Sequence, residues 1–391
     1  MRLRSQQSLS PFTVPPETFP IMRFGVFPVM VGRAAAGPET YEHRLLKAMA
    51  AIDQHNEHHI FCVDQQAVRA LDIHQPNVFH HVLWPNNRWV SMSVSLPLAI
   101  RKAGIKVLHA TFAPPLWSPV DYVFTMHGGV TFSHPHFYPP TVVLRLNTLI
   151  KRGLSQAKLI LCVSDFVKQE IAERFNIPDE RLRTVYHGVG PEFRPLPAEE
   201  VGPLLMHRHG LSGPYVLFVG KLHSNKNIVR LIEAFHQATN EAGRPDVQLV
   251  LVGRKFWGSE GIDEMIDRLG MRTRVRLLGH QPQDHLAALY NGALGLVFPS
   301  LWEGFGLPVI EAMACGTPVV ASDIACLPEV TSGAALLVDP YRTERLAEGI
   351  HRLVIDEDMR STLRLRGLAR AQHFDWHHTA RRTLDAYHSA A

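Results

Sequence analysis

Short runs of apolar residues alternate along this chain with longer stretches in which apolar residues recur every three or four positions. The first run is MRFGVFPVM, from Met22, and Leu45, Leu46, Met49 and Ile52 then follow at helical spacing. HIFCV, KVLHAT, DYVFTMH and KLILCVS are later apolar runs in the same half of the chain. Apolar strands that alternate with helices are typical of a parallel sheet covered by helices on both faces.

The alternation is interrupted near Pro195, where PLPAEEVGPL predicts a hinge, and then begins again. YVLFVG, VQLVLVG, LGLVFPS and TPVVAS predict the strands of a second sheet. A chain of 391 residues is too long for one core and suits two domains. We therefore predict an α/β protein of two Rossmann-like, doubly wound domains, 22–195 and 196–373, that face a central cleft at the carboxyl ends of their strands.

Composition indicates a globular protein that does not bind nucleic acid. Hydrophobic residues make up 46% of the chain and charged residues 19%, and the formal net charge is only +4. No clustered basic stripe is present, as nucleic-acid binding would need. The four cysteines are scattered without a CxxC pair, which favours buried free thiols in a reducing, cytoplasmic compartment. The 23 histidines include no HExxH spacing, so we predict no metal site.

Residues 1–21 are rich in proline and serine and contain no continuous apolar core. We interpret them as a disordered extension rather than a secretory signal, and Met22 is an alternative start. No run of about 18 apolar residues occurs, so no membrane-spanning helix is predicted.

The segment EGFGLPVIEAMACGTPVVAS, from Glu303, combines two acids with a glycine turn that precedes a predicted helix. Gly304 and Gly306 leave backbone N–H groups bare at a helix N-terminus, an arrangement that suits a diphosphate. Glu303 and Glu311 would repel phosphate and are better suited to sugar hydroxyls. By itself the segment is equally compatible with a simpler interpretation. In that interpretation Glu303 is a solvated loop acid and Glu311 only complements the helix dipole.

A second glycine turn, in YVLFVGKLHSNKNIVRLIEAF, favours the ligand-binding interpretation. Lys221 follows Gly220, and Lys226 precedes the next predicted helix. Two cations at a helix N-terminus are unfavourable for the helix itself. They suit a doubly charged leaving group such as a nucleoside diphosphate.

In this context the chain resembles the retaining, nucleotide-sugar-dependent glycosyltransferases of family 4, which have the GT-B fold. EGFGLPVIEAMACGTPVVAS is similar to the E-x7-E signature of that family, and VGKLHSNKN to its phosphate-binding segment. Further ordered similarities are AGPETY, TMHGG, CVSDFVKQEI, YHGVGPEF, SDIACLPEV and FDWHHTARRTLDAY. The chain departs from the family in having Lys221 in place of arginine, and Ala36-Gly37 in place of a glycine pair.

The resemblance implies a role for each matching residue. Glu311 is expected to accept the ribose hydroxyls, Glu303 to address the transferred sugar, and Lys221 and Lys226 to neutralise the diphosphate. His127 is expected to lie across the cleft near the sugar. The implied catalytic residues are His127, Lys221, Lys226 and Glu303. The implied donor-binding residues are Gly37, Gly220, Lys221, Lys226, Arg254, Glu303, Gly304, Phe305, Gly306, Leu307 and Glu311.

The resemblance also implies a reaction: metal-independent, configuration-retaining transfer of a hexose from a GDP- or UDP-linked sugar, with no other cofactor. Mannose is favoured and glucose comes next. The expected acceptor is a glycan or a lipid-linked glycan, and TVVLRLNTLIKRGL either contacts the inner membrane or is an ordinary surface helix. The C-terminal helix, 374–391, is expected to complete the N-terminal domain.

Three other functions are alternatives to a glycosyltransferase. A nucleotide-sugar epimerase with the same two domains would use the donor without an acceptor. A dinucleotide oxidoreductase would need GxGxxG at the first helix, which GRAAAGP does not match. A two-lobed binding protein would need a secretory signal or a regulatory domain, and neither is evident.

Overall fold

The computed structural model describes residues 20–33, 35, 37–85 and 90–391. Apart from Pro20 and Ile21, the predicted extension 1–21 lies outside the described residues. Ala36 of the first glycine loop also lies outside them.

The N-terminal half forms a seven-stranded sheet in which every neighbouring pair of strands is parallel. Its order is β3-β2-β1-β4-β5-β6-β7. The strands are β1 (Arg23–Phe27), β2 (Glu57–Cys62), β3 (Val78–Val82), β4 (Val107–Ala110), β5 (Tyr122–Met126), β6 (Leu159–Cys162) and β7 (Leu182–Thr184). The α-helices of this half are α1 (Gly37–Ile52), α2 (Gln65–Leu71), α3 (Leu96–Ala103), α4 (Val130–Ser133), α5 (Pro140–Gln156) and α6 (Asp165–Phe175).

The C-terminal half forms a six-stranded, parallel sheet of order β10-β9-β8-β11-β12-β13. The strands are β8 (Tyr215–Val219), β9 (Gln248–Val252), β10 (Val275–Gly279), β11 (Gly295–Phe298), β12 (Val319–Ser322) and β13 (Leu336–Val338). The α-helices are α7 (Ala198–His209), α8 (Ile228–Glu241), α9 (Gly261–Arg268), α10 (Gln283–Gly292), α11 (Leu307–Ala314), α12 (Leu327–Thr331), α13 (Thr343–Ile355), α14 (Glu357–Ala371) and α15 (Trp376–Ala390).

Central strands of both sheets are buried along their whole length, which explains their continuous apolar sequences. Every residue of β5, YVFTM, and of β8, YVLFV, is buried. The strand order reverses between β1 and β4 in one sheet and between β8 and β11 in the other. In open α/β sheets, ligands bind at such reversals, outside the carboxyl ends of the strands. The predicted fold of two doubly wound α/β sheets is confirmed.

The last helix packs on the N-terminal sheet rather than on the sheet that precedes it in sequence. Helix α15 contacts α1 and strands β4, β5 and β6. The Tyr387 hydroxyl lies 2.6 Å from His109 Nδ1, and the Thr379 hydroxyl donates to the Tyr186 carbonyl at 2.7 Å. The boundaries 22–195 and 196–373 remain our proposed domain limits.

The two halves meet through loops in which backbone approaches backbone. A Cβ atom on Gly304 would lie 1.9 Å from the His127 carbonyl oxygen, and one on Gly128 would lie 1.9 Å from the ring of Trp302. The Ser164 hydroxyl, which caps α6 by accepting from the Val167 N–H, donates to the Gly304 carbonyl at 2.7 Å. These contacts place the loop after β11 directly against the ends of β5 and β6.

We predict that Gly304→Ala separates these loops, because the added methyl group would overlap the His127 carbonyl. Overpacking of this kind should lower the free energy of unfolding by about 1–3 kcal/mol. Small-angle X-ray scattering should report a larger radius of gyration for this variant. Gly202→Ala is the control, since a Cβ atom there meets nothing within 4 Å. Equal radii and stabilities for the two variants would contradict the predicted contact.

Candidate active site

Lys226 and Glu303 form an ion pair at the strand-order reversal of the C-terminal sheet. Lys226 Nζ donates to Glu303 Oε1, and the two side chains are only 16% and 13% exposed. Lys226 ends a short 3₁₀ turn, Ser224–Lys226, and Glu303 lies in the loop after β11. Glu303 is therefore not a solvated loop acid. The ammonium group of Lys226 is paired with the Glu303 carboxylate at a position that is largely shielded from solvent.

Two hydrogen bonds hold the Ser224–Lys226 turn against the loop that carries Glu303. The Leu301 N–H donates to the Asn225 carbonyl at 2.8 Å, and the Asn225 side-chain amide donates to the Trp302 carbonyl at 3.3 Å. Asn225 is buried, so it fixes the turn that presents Lys226. The sequence distance between the loops is about 77 residues, so only the parallel sheet brings them together.

Lys221 lies in the loop between β8 and the Ser224–Lys226 turn, and it adds a second positive charge to this site. It follows Gly220, whose φ of +151° suits glycine, and its Nζ lies 5.2 Å from the centre of the Phe256 ring. Burial, and then the neighbouring Lys226, lower the pKa of Lys221, whereas Glu39 raises it. A bound dianion would relieve this repulsion between the lysines.

Glu311 is buried rather than solvated. It lies in α11, is 8% exposed, and accepts a hydrogen bond from the Tyr290 hydroxyl at 2.8 Å. Burial raises the pKa of Glu311 to about 7, the Tyr290 hydrogen bond lowers it, and the nearby Glu192 carboxylate raises it further. A helix-dipole role alone would not require this burial, so the geometry agrees with a hydrogen-bonding role toward a ligand.

The turn between the two acids has the geometry expected from its sequence. Gly306 caps α11 with a φ of +92°, and Pro308 lies in the first turn of that helix. Phe305 and Leu307 are buried. The Phe305 ring lies 4.8 Å from the His187 ring, centre to centre, so the side chain anchors the turn while its backbone borders the cleft.

His127 lies across the cleft, at the end of β5. It is half-buried, and its Nε2 lies 2.8 Å from the Thr111 carbonyl oxygen. Because a carbonyl only accepts, Nε2 must carry the proton, and Nδ1 is left as an acceptor. Burial lowers the pKa of His127 to about 4, so the ring is neutral near pH 7. A neutral imidazole of this tautomer can accept a hydrogen bond from a sugar hydroxyl.

Two other predicted donor residues lie in different settings. Gly37 begins α1, and a Cβ atom there would lie 3.9 Å from the Leu307 side chain, so this loop faces the start of α11 across the cleft. Arg254 lies on the exposed loop after β9, and its carbonyl accepts from the Leu222 N–H at 2.9 Å. The contact of Arg254 with a donor stays a prediction.

Several polar residues at this cleft were not predicted from the sequence. Glu39 accepts from the backbone N–H groups of Gly32 at 2.8 Å and of Ala35 at 2.7 Å, and Glu42 holds the preceding part of the same loop. Two acids one helical turn apart, directly after a glycine-bearing loop, are a signal that could have found them. No local signal marks Tyr290, because its partner Glu311 belongs to a different helix.

Within the described parts of the chain, no group of three or more His, Cys, Asp or Glu side chains could hold a metal ion. None of the described helices is long and apolar enough to cross a membrane. On α5, Leu144 is 72% exposed and Arg145, Lys151 and Arg152 are exposed, but contact of this helix with a membrane stays a prediction.

Two family models together match most of the chain. The model described as glycosyl transferases group 1 matches residues 207–369, and the model described as glycosyltransferase family 4 matches residues 35–193. The O-antigen chain mannosyltransferase B of Escherichia coli is 34% identical over 265 residues, which cover 68% of this chain and 69% of that protein. This chain belongs to glycosyltransferase family 4, and it is a glycosyltransferase with the GT-B fold.

Other similar proteins either match over a smaller part of their length or are similar in fold alone. The O-antigen chain mannosyltransferase RfbU of Salmonella typhimurium is 30% identical over 53% of this chain and 54% of its own length. Among solved structures, Anabaena Alr3699/HepE in complex with UDP and glucose matches with a TM-score of 0.76 at 20% identity, over 94% of this chain and 100% of that one. The structural match supports the GT-B fold.

We predict that Glu311 makes stability depend on pH. With its pKa at about 7, folded Glu311 keeps a proton that the unfolded chain loses near pH 4.5, so stability falls as pH rises from about 4.5 to 7. The contribution is on the order of 3 kcal/mol. Glu311→Gln, which can still accept from Tyr290, should remove it. We expect the free energy of unfolding of the wild type, measured in urea from pH 5 to 8, to fall relative to that of the variant as the pH rises.

The exposed Glu344 on α13 offers the matched control, Glu344→Gln. The difference in free energy of unfolding between this control and the wild type should stay constant over the same pH range. If the Glu311→Gln difference is also constant with pH, the buried carboxyl does not titrate as described.

Proposed function

We propose that this glycosyltransferase moves a hexosyl residue from a nucleoside-diphosphate sugar to a glycan or lipid-linked glycan. The first candidate is a mannosyl residue from GDP-mannose, and the second is a glucosyl residue from UDP-glucose. The observation that supports this most strongly is the pair of lysines, Lys221 and Lys226, at the strand-order reversal of the C-terminal sheet. The names of the O-antigen mannosyltransferases to which the chain is similar favour mannose. The epimerase alternative receives no support from these relatives.

The donor is proposed to lie along the start of α11. The ammonium groups of Lys221 and Lys226, with the bare N–H groups of the Gly304–Leu307 turn, neutralise the diphosphate. Glu303 exchanges its contact with Lys226 for the hydroxyls of the transferred sugar, and Glu311 accepts from the ribose. Separation of Lys226 from Glu303 on donor binding is favourable because the diphosphate is a stronger partner for the lysine.

The transfer step is proposed to proceed on one face of the sugar and to retain configuration. The bond from the anomeric carbon to the diphosphate oxygen breaks, and the acceptor hydroxyl oxygen bonds to that carbon from the same side. The proton of the acceptor hydroxyl passes to the departing phosphate oxygen. The developing negative charge is balanced by Lys221 and Lys226, so this route needs neither a carboxylate nucleophile nor a metal ion.

We expect the purified protein to release nucleoside diphosphate from one member of a nucleotide-sugar panel in the presence of EDTA, because the lysines supply the positive charge. The panel includes GDP-mannose and UDP-glucose, and thermal shift measurements with each donor report binding independently. Nuclear magnetic resonance of the product shows whether the anomeric configuration is retained. An inverted product would remove the retaining mechanism, and no donor binding by any panel member would contradict the proposed function.

Lys226→Ala should lower the turnover of the donor by about 10²–10³-fold, since it removes one preorganised group that stabilises the leaving diphosphate. Lys158→Ala is the control. Lys158 also pairs with a carboxylate, Asp121 at 2.8 Å, but it directly precedes β6, at the end of the N-terminal sheet opposite the cleft. Wild-type turnover in Lys226→Ala would rule out the assigned role of that lysine.

A further inference from the structure

Glu42 is a carboxylate fully buried in the N-terminal half, next to the cleft, and the transfer chemistry described above does not use it. It lies in the second turn of α1 and is 0% exposed. A buried carboxylate is costly unless hydrogen bonds satisfy its oxygens, so its partners indicate what keeps it there.

Four donors converge on the two oxygens of Glu42. Oε1 accepts from the Val29 N–H at 3.0 Å and from the Thr111 hydroxyl at 2.6 Å. Oε2 accepts from the N–H groups of Met30 at 2.7 Å and Val31 at 3.0 Å. The three amides are consecutive, so one side chain fixes the start of the loop that connects β1 to α1. Glu39 then holds Gly32 and Ala35 of the same loop.

Thr111 connects this anchor to His127. Thr111 is fully buried directly after β4, and its hydroxyl has one proton, which the 2.6 Å distance assigns to Glu42 rather than to the Phe27 carbonyl at 3.0 Å. The carbonyl of the same residue accepts from His127 Nε2 at 2.8 Å. Tyr41 on α1 packs against the imidazole edge-on, at 4.8 Å between ring centres.

We propose that Glu42 is a positioning residue of this enzyme: its carboxylate fixes the Val29–Val31 loop and, through Thr111, sets the orientation and tautomer of His127. This inference rests on the proposed function for the role of His127 at the sugar. A single buried side chain thereby couples the two parts of the N-terminal wall that face the donor. Outer partners of this kind orient the groups that touch substrate without touching it themselves.

Glu42→Gln tests the coupling with little change in shape. The glutamine can present its oxygen to one pair of donors only, and its NH₂ group then faces the other pair, donor against donor. We expect turnover of the donor to fall by about 10–100-fold. Binding of GDP and UDP, measured by calorimetry, should change less than about twofold, because the lysines that neutralise the diphosphate belong to the other half of the chain.

A double-mutant cycle separates positioning from general damage. If Glu42 acts through His127, then Glu42→Gln combined with His127→Ala is no slower than His127→Ala alone. Multiplicative losses in the double variant would overturn the proposal. Thr111→Val should reproduce the loss caused by Glu42→Gln, and Thr111→Ser, which restores the hydroxyl, should recover most of the activity.

A second measurement does not depend on activity. Nitrogen-15 resonances of His127 should show a protonated Nε2 in the wild type and in Thr111→Ser. In Glu42→Gln and Thr111→Val the side-chain bond that anchors residue 111 is weakened or lost, so its carbonyl can move away from Nε2 and a mixture of tautomers is expected. An unchanged tautomer in both of the latter variants would refute the coupling. If the tautomer changes but His127→Ala turns over the donor normally, the coupling stands and the proposed role of His127 at the sugar fails instead.

Discussion

The organisation of this enzyme depends on the close approach of two loops, one from each sheet, at points where a side chain would not fit. Gly304 presents bare backbone to the His127 carbonyl, and Gly128 leaves room for the ring of Trp302. Glu303 is the residue next to Gly304, so this approach sets the distance between Glu303 on one wall of the cleft and His127 on the other. A methyl group at either glycine would move both residues, because the neighbouring atoms are backbone or a buried ring.

Electrostatics gives the two walls different roles. The C-terminal wall concentrates positive charge at Lys221 and Lys226, in partly buried positions where one carboxylate, Glu303, balances it. The N-terminal wall presents a neutral imidazole, because burial lowers the pKa of His127 to about 4. An anionic leaving group and a neutral, hydroxyl-bearing sugar are the ligands that such walls complement. The proposed donor combines these two groups in one molecule.

The sequence predicted the fold, and it singled out several residues of the candidate site, for reasons that are local. Buried parallel strands need continuous apolar runs, so β5 and β8 could be recognised without tertiary information. The glycine turn before the predicted helix marked the start of α11, at Gly306 and Pro308. The ion pair of Lys226 with Glu303 was not predicted as a pair, since each residue was assigned a separate ligand. Tyr290 and Thr111 were missed because each bonds to a carboxyl group on another element, Glu311 and Glu42. Glu42 itself carried a local signal, an acid one helical turn after Glu39, which the prediction did not use.

The sequence by itself therefore determined the alternation of strands and helices, the glycine turns at strand ends and the residue types available at the candidate site. These properties follow from hydrophobic periodicity and backbone sterics, which act over a few residues. Only the tertiary structure decided which charges are buried and which atoms they meet. The pKa of a carboxyl such as Glu311 or Glu42 depends on solvent exclusion by elements packed from elsewhere in the chain, and hydrogen bonds form only where the packed fold places donor and acceptor within about 3 Å.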